Sequence, residues 1–280
     1  SSDNQNLTGW EALPAALQTL EQTGGIEMHP RTPVLSVYPG DQFLVLASNE
    51  AETFEVSANR VVFCTGAYEQ TPLFENNDLP GIFSLRALDR LITGFGSLPG
   101  EPLVLVGDSD DCLRLAARLA KAKVELAGLV TRERDDGMVR ELKQLGVPLY
   151  FDKKLVRARG GKWLTRLEFA PKTGQSDQAD LVLDCRSAGC EAPPAPAYEL
   201  AHHAGCRVSF SSASGYRLSV DPKGLSSHSQ VYAAGSCTGT ASPDQAVRQG
   251  ELAGLSAALS LRPDPEAEKR QQTLLDQIAT

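Results

Sequence analysis

The chain has 280 residues, with 27 Lys and Arg against 35 Asp and Glu for a formal net charge of −8. That balance argues against nucleic acid and anionic membrane surfaces as partners, and 41% hydrophobic with 22% charged residues argues against a disordered chain. No apolar run approaches the roughly 18 residues of a membrane-spanning helix, no secretory signal is visible, and the length suits about two domains.

In chain order, Leu13, Leu17 and Leu20 lie at helical spacing within 10–22, and Gly24-Gly25 suits the end of that helix. Residues 26–37, 43–47 and 53–56 read as short strands of a β-meander, separated by Pro39-Gly40-Asp41 and Ser48-Asn49-Glu50. The meander feeds Val61-Val62-Phe63-Cys64, apolar and β-rich enough for a buried strand of a parallel sheet. That strand stops at Thr65-Gly66-Ala67, small residues beyond a carboxyl end, where a ligand can come close. Residues 70–80 form a polar, proline-bounded connection that closes on the turn Leu79-Pro80-Gly81.

Residues 85–95 read as an amphipathic helix and 96–102 as a linker, after which a second unit begins. Strand 102–106, the turn Gly107-Asp108-Ser109-Asp110-Asp111, helix 112–122, strand 124–130, helix 136–145 and strand 147–151 make a Rossmann half with a parallel sheet. Of the G-x-G-x-x-G that a dinucleotide turn wants, only Gly107 is present. Ser109 or Asp110 suits the N-cap, while Asp108, Asp110 and Asp111 favour the helix start but would oppose a phosphate placed there. Gly107, Asp108 and Ser109 are therefore candidate nucleotide contacts that leave NAD open and NADP less favoured. Arg132 and Arg134 read either as 2′-phosphate contacts or, more simply, as solvated surface charge.

Residues 154–169 suggest a hairpin around Gly160-Gly161, 181–185 a strand returning to the sheet, 189–196 a Pro-rich loop and 197–204 a short helix. His202 and His203, adjacent on that helix, point about 100° apart and do not suit one metal. Residues 230–240 and 244–261 read as strand, turn and long helix, with Gly250 and Gly254 spaced for close packing on the sheet, and 264–280 as a charged helix. Gly235, Ser236 and Cys237 are a second set of candidate cofactor contacts. The six cysteines, Cys64, Cys112, Cys185, Cys190, Cys206 and Cys237, form no C-x-x-C and have no histidine at zinc-like spacing, so no metal site is expected and the compartment reads as reducing and cytoplasmic.

CTGAYEQTPLFENNDLPGIFSLRAL resembles the segment ATGA-x-ERP-x-x-F-x-x-ND-x-PGV of a flavoprotein group, matching at Gly66-Ala67, Glu69, Phe74, Asn77-Asp78 and Pro80-Gly81. That group holds the alpha subunits of heterotetrameric sarcosine oxidase, the opine oxidases and the B subunit of hydrogen cyanide synthase, within the wider disulfide-reductase-like class. QVYAAGSCTGT followed by DQAVRQGELAG resembles the group's flavin segment V-Y-A-A-G-D-x-x-G…A-x-x-x-G-x-x-A-G. The resemblance implies an α/β fold of two Rossmann-like FAD/NAD(P)-binding domains in three layers. The first domain, 1–96 with 222–280, would be FAD-binding-like and split by an NAD(P)-binding-like second, 97–221.

It also implies that FAD lies against Thr65, Gly66, Ala67 and Gly235 to Cys237, with amine oxidation on a partner oxidase or dehydrogenase subunit. The other partner considered is a second copy of the chain. Two departures bear on the cofactor. No G-x-G-x-x-G precedes Trp10, so the first domain reads as incomplete at its N-terminus, and Ser236 stands where the class usually has Asp. Weak FAD binding by this chain alone is the expectation. The first functional reading is an FAD/NAD(P)-binding oxidoreductase subunit or fragment of the amine or amino-acid dehydrogenase type. The alternative is a non-catalytic, degenerate nucleotide-binding or interaction module, and no catalytic residue is assigned.

Overall fold

The computed structural model describes residues 17–279 apart from 18, 21, 24, 174–176, 213–214 and 240–241. Most of the expected helix at 10–22 lies outside the described residues. The chain divides into two compact units, Ser1–Tyr68 with Pro194–Thr280, and Glu69–Pro193.

The first unit opens with the antiparallel meander β1 (Val34–Tyr38), β2 (Phe43–Ser48) and β3 (Thr53–Ala58). Residues 26–33, expected as part of the first strand, are not in a strand. Next come β4 (Val61–Phe63) and the two-residue β5 (Ala67–Tyr68).

In the second unit β6 (Ile82–Ser84) precedes helix α1 (Leu85–Asp89), which widens into a π-helical turn at Arg90–Gly94. Strand β7 (Leu103–Val106), helix α2 (Asp110–Lys121), strand β8 (Leu126–Thr131), helix α3 (Gly137–Gln144) and strand β9 (Leu149–Phe151) follow in the alternating order that periodicity suggests. An antiparallel excursion, β10 (Lys153–Gly160), β11 (Leu164–Pro171) and β12 (Leu181–Asp184), leads to β13 (Ser187–Cys190). The parallel sheet has the order β6-β13-β7-β8-β9.

Period-2 alternation sorts this sheet's side chains into two cores. Leu103, Leu105 and Leu129 face α1, α2 and α3, packing on Leu88, Leu113 and Leu142. Val104, Val130, Ala188 and Cys190 face the excursion, meeting Leu167, Phe169 and Leu183. Helices, parallel sheet and excursion thus form three layers. Each fully buried leucine is worth about 1.5–3 kcal/mol relative to an exposed one, and leucines predominate among the largest fully buried side chains.

Two sequence expectations change here. The strand at 181–185 does not return to the parallel sheet; it ends the excursion, and β13 returns instead. The small residues of β13 allow this, because a Cβ at Gly189 would lie 2.6 Å from Leu88 Cδ2 and 3.0 Å from Leu105 Cδ2. Gly189 and Cys190 are accordingly strand rather than loop. The compact units themselves divide at Tyr68/Glu69 and Pro193/Pro194, with β6 in the second unit's sheet through its pairing with β13.

The first unit resumes with β14 (Ala195–Pro196), which pairs with β5. Helix α4 (Glu199–His203), the hairpin β15 (Val208–Ser211) and β16 (Gly215–Leu218), β17 (Val231–Ala233), helix α5 (Pro243–Leu259) and helix α6 (Pro265–Ala279) complete it. Strand β17 lies parallel to β4, with Val231 beside Val61 and Ala233 beside Phe63. Phe63, Val231 and Ala233 pack toward Val37, Phe43 and Leu218, whereas Tyr232 and Ala234 face Ala253 and Ala257 of α5. Gly250 and Gly254 have open space where a Cβ would stand; the close approach is at Gly224, whose added Cβ would lie 2.8 Å from Ala253 Cβ. Helix α6 is tied to α5 by Gln271 Nε2 donating to Ser256 Oγ at 2.8 Å and by Arg270 paired with Glu251.

Gly81 follows Pro80 at φ +108°, and a Cβ there would lie 2.7 Å from the backbone oxygen of Arg186. Gly81→Ala should therefore cost about 1–3 kcal/mol and lower the urea unfolding midpoint, while an unchanged midpoint would contradict this packing.

Candidate functional site

The parallel pairing of β4 with β17 brings two of the predicted turns to one end of the first unit. Ala234 N donates to Phe63 O at 3.0 Å, so Thr65-Gly66-Ala67 and Gly235-Ser236-Cys237 leave the sheet side by side. Thr65 Oγ1 donates to Ala197 O at 2.5 Å, and Ala197 N donates to Gly66 O at 3.0 Å, tying the first turn to the residue that follows β14. Gly66 has φ +74° with open space where a Cβ would stand, and Gly235 has φ +78° with its nearest neighbour, Ala246 Cβ, at 3.7 Å. Both positions let a flat or anionic group approach the backbone closely.

The Gly235–Thr238 segment is a single 3₁₀ turn, braced by Thr238 Oγ1 donating to Gly235 O at 2.8 Å. Gln249, from α5, accepts the Gly235 N–H on Oε1 at 3.1 Å. That residue was not singled out by sequence reasoning; its only signal was a place on the helix that follows the turn. Cys237 is buried beneath the turn rather than lining it, with Sγ 3.3 Å from Ala234 O. Burial pushes its thiol up, partly offset by hydrogen bonds from Thr65, Ala234 and Gly66. Glu69 of the resembling segment belongs to the second unit, where it accepts from Ser84 Oγ and from Arg86 N, fixing the start of α1.

In the second unit Gly107, Asp108 and Ser109 form the turn between β7 and α2. Ser109 is the N-cap, its Oγ accepting from Cys112 N at 3.2 Å. Asp108 turns toward the end of β8, its Oδ1 accepting from Arg132 N at 2.7 Å. Lys172 Nζ lies 3.4 Å from its other oxygen. Arg134 is held between Asp110 at 2.8 Å and Asp136 at 2.6 Å with its side chain only 18% exposed, so it is neither a solvated charge nor a free phosphate contact. The amides of Asp108 and Ser109 both donate to Glu191 Oε2, at 2.9 and 3.0 Å. Glu191 was missed in the sequence because it stood in what read as a Pro-rich loop.

Outside these turns, His202 and His203 are both exposed; His202 Nδ1 lies 3.2 Å from Cys206 O, and the ring of His203 meets Tyr38 edge-on at 5.4 Å. Among the described residues no group of three or more His, Cys, Asp and Glu is arranged to hold a metal ion. No helix among them is long and apolar enough to cross a membrane.

Parallel strands ending in small-residue turns, a helix starting at one such turn, and two units of this build define a Rossmann-type nucleotide-binding class. A sequence model described as pyridine nucleotide-disulphide oxidoreductase matches residues 4–262. The chain belongs to that family. Among curated proteins it is 29% identical over 132 residues to the alpha chain of sarcosine oxidase from Corynebacterium sp. (strain P-1), covering 42% of this chain and 13% of that protein. It is 27% identical to an NADH oxidase of Methanocaldococcus jannaschii, covering 83% of this chain and 54% of the relative. With an opine oxidase component of Rhizobium meliloti the identity is 26%, over 72% of this chain and 49% of the relative. The chain thus spans about half the length of the last two and far less of the first. Among solved structures, T. acidophilum thioredoxin reductase superposes with a TM-score of 0.65 at 16% identity, over 90% of this chain and 82% of that one. L-proline dehydrogenase from P. horikoshii gives 0.57 at 21% identity, over 91% and 48%. These likenesses show the fold: α/β, with a parallel sheet of Rossmann type.

Cys64 is exposed, whereas the other five thiols are buried. Burial pushes Cys185 and Cys190 up from 9.0 to about 12. Ellman titration of the native protein near pH 8 should show Cys64 reacting first and the rest only on unfolding. Because the folded thiols ionise later than unfolded ones, the stability they contribute is complete below pH 9.0 and falls as pH rises toward about 12. Rapid reaction of several thiols in the native state would contradict the burial.

Proposed function

We propose that the chain is a flavin-handling oxidoreductase component, of the amine or amino-acid dehydrogenase type, that works with a partner subunit. The observation that carries this reading is the parallel pairing of β4 and β17, which sets the Thr65–Ala67 and Gly235–Ser236 turns side by side at one sheet end. Both glycines sit at positive φ with space above them, so these residues fit a nucleotide cofactor laid across the strand ends. FAD would be held by the backbone of Thr65, Gly66 and Ala67 on one side and of Gly235 and Ser236 on the other. When bound, the flavin supplies the electron-accepting chemistry, and the protein supplies orientation and electrostatics.

The chain's own residues set limits on that binding. Gln249 already takes the Gly235 N–H, and Ser236 presents a hydroxyl where a carboxylate would reach further. Isolated, the chain should hold FAD weakly. Support for the substrate class and for a partner comes from the names of the relatives, which are subunits of sarcosine and opine oxidases. A cytoplasmic setting belongs to the same reading and is supported by six free thiols. The non-catalytic module is the second reading, favoured by the self-bonded turn at Gly107 to Ser109.

Isolation of the protein from its native source under gentle conditions, followed by a visible absorbance spectrum and a denaturing gel, separates the two readings. A flavin band together with a co-purifying partner is the expected result. A colourless chain without a partner would overturn the oxidoreductase reading in favour of the module.

A further inference from the structure

The second unit carries the turn at which a pyridine nucleotide would place its pyrophosphate, and the structure shows that turn already filled from within. We propose that Glu191 is a built-in occupant of this cradle, so that the unit does not take NAD(H) or NADP(H) there. Topology delivers the residue. Strand β13 lies parallel to β7 with Cys190 beside Val106, and Glu191 N donates to Val106 O at 2.8 Å. The residue after β13 therefore stands over the residue after β7, in the crevice outside the carboxyl ends of these two strands. That crevice is where open α/β sheets bind their ligands.

The Glu191 carboxylate does there what a phosphate would do. Its Oε2 accepts the N–H groups of both Asp108 and Ser109, at 2.9 and 3.0 Å, at the start of the twelve-residue helix α2. Those amides and the positive end of the helix dipole are the groups that recognise a dinucleotide pyrophosphate. The space is taken as well as the hydrogen bonds. A Cβ added to Gly107 would lie 2.5 Å from Glu191 Oε2, 2.9 Å from Glu191 Cβ and 3.0 Å from Cys112 Sγ. Gly107 is thus needed for the chain's own side chain to lie close, the role a turn glycine plays for a nucleotide.

Charge around the cradle opposes a second anion. Asp108, Asp110 and Asp111 share the helix start. Arg134 is committed to Asp110 and Asp136, and Lys172 faces Asp108 at 3.4 Å. A phosphate would have to displace Glu191 from two charge-assisted bonds and then sit among carboxylates. The unit accordingly serves this chain as a closed scaffold, and any electrons reach a flavin from another source. This inference is independent of the flavin reading, because its test contains no flavin.

The test is titration of the ¹⁵N-labelled 280-residue chain with NADH and NADPH, followed by amide spectra and by nucleotide fluorescence. For the natural chain the Asp108 and Ser109 amide signals should not move, and the Kd should be about 1 mM or weaker. Glu191→Ala should tighten NADH binding at least about tenfold, with those two amides now shifting. Glu191→Gln keeps the side-chain volume while removing the charge; it should move binding in the same direction by less, and it decides the matter if the alanine variant does not fold. Saturable binding to the natural chain through those amides, or a folded variant with no gain, would overturn the proposal.

Discussion

The pairing of β13 with β7 is the constraint on which the second unit depends. A strand of Ser187, Ala188, Gly189 and Cys190 enters the middle of the sheet after a long antiparallel excursion, and it can do so only because its side chains are small. Once it is there, backbone hydrogen bonding fixes the register to the residue. The register decides which side chain hangs over the turn that follows β7. That side chain is Glu191, and its carboxylate gives the Asp108 and Ser109 amides, in the turn just before α2, the partner that buried or half-buried N–H groups require. A single pairing thus sets the sheet order and which side chain fills the turn before α2.

The first unit follows the same logic with the opposite outcome. Strands β4 and β17 end level with each other, but the turns after them carry Gly66 and Gly235 at positive φ with free space above the backbone. Here the chain supplies only a partial substitute for a ligand, the side-chain carbonyl of Gln249 holding the Gly235 N–H. Burial of Cys237 beneath the turn, and the bonds between Thr65, Gly66 and Ala197, stiffen the end without filling it. One unit's turns have open space above the backbone, and the other's turn is filled by its own side chain. Fold membership alone would have assigned both the same task, which is why function has to be argued from the site.

Much of the architecture was legible in local sequence. The alternation of apolar runs with 3.6-periodic segments from 102 to 151 announced β7, α2, β8, α3 and β9, and Gly160-Gly161 announced the β10–β11 hairpin. Thr65-Gly66-Ala67 and Gly235-Ser236 were legible as strand-terminating turns because small residues after a β-rich run are a local signal. Those features depend on residues within a dozen positions of one another, and backbone propensity and side-chain periodicity act over that range.

What the tertiary structure alone decided was which distant residues meet. Glu191 reaches amides 82 and 83 positions earlier in the chain, and no periodicity encodes such a meeting. The returning strand was misplaced because 181–185 carries the stronger apolar signal, whereas β13 is chosen by the room between Leu88 and Leu105 rather than by its own hydrophobicity. Gly250 and Gly254 had the spacing for close packing, yet the contact fell at Ala253 and Gly224, since the rotation of a helix on a sheet is set by the whole interface. Sequence by itself determined the elements and the turns at their ends; packing and register determined which turn is open and which is filled.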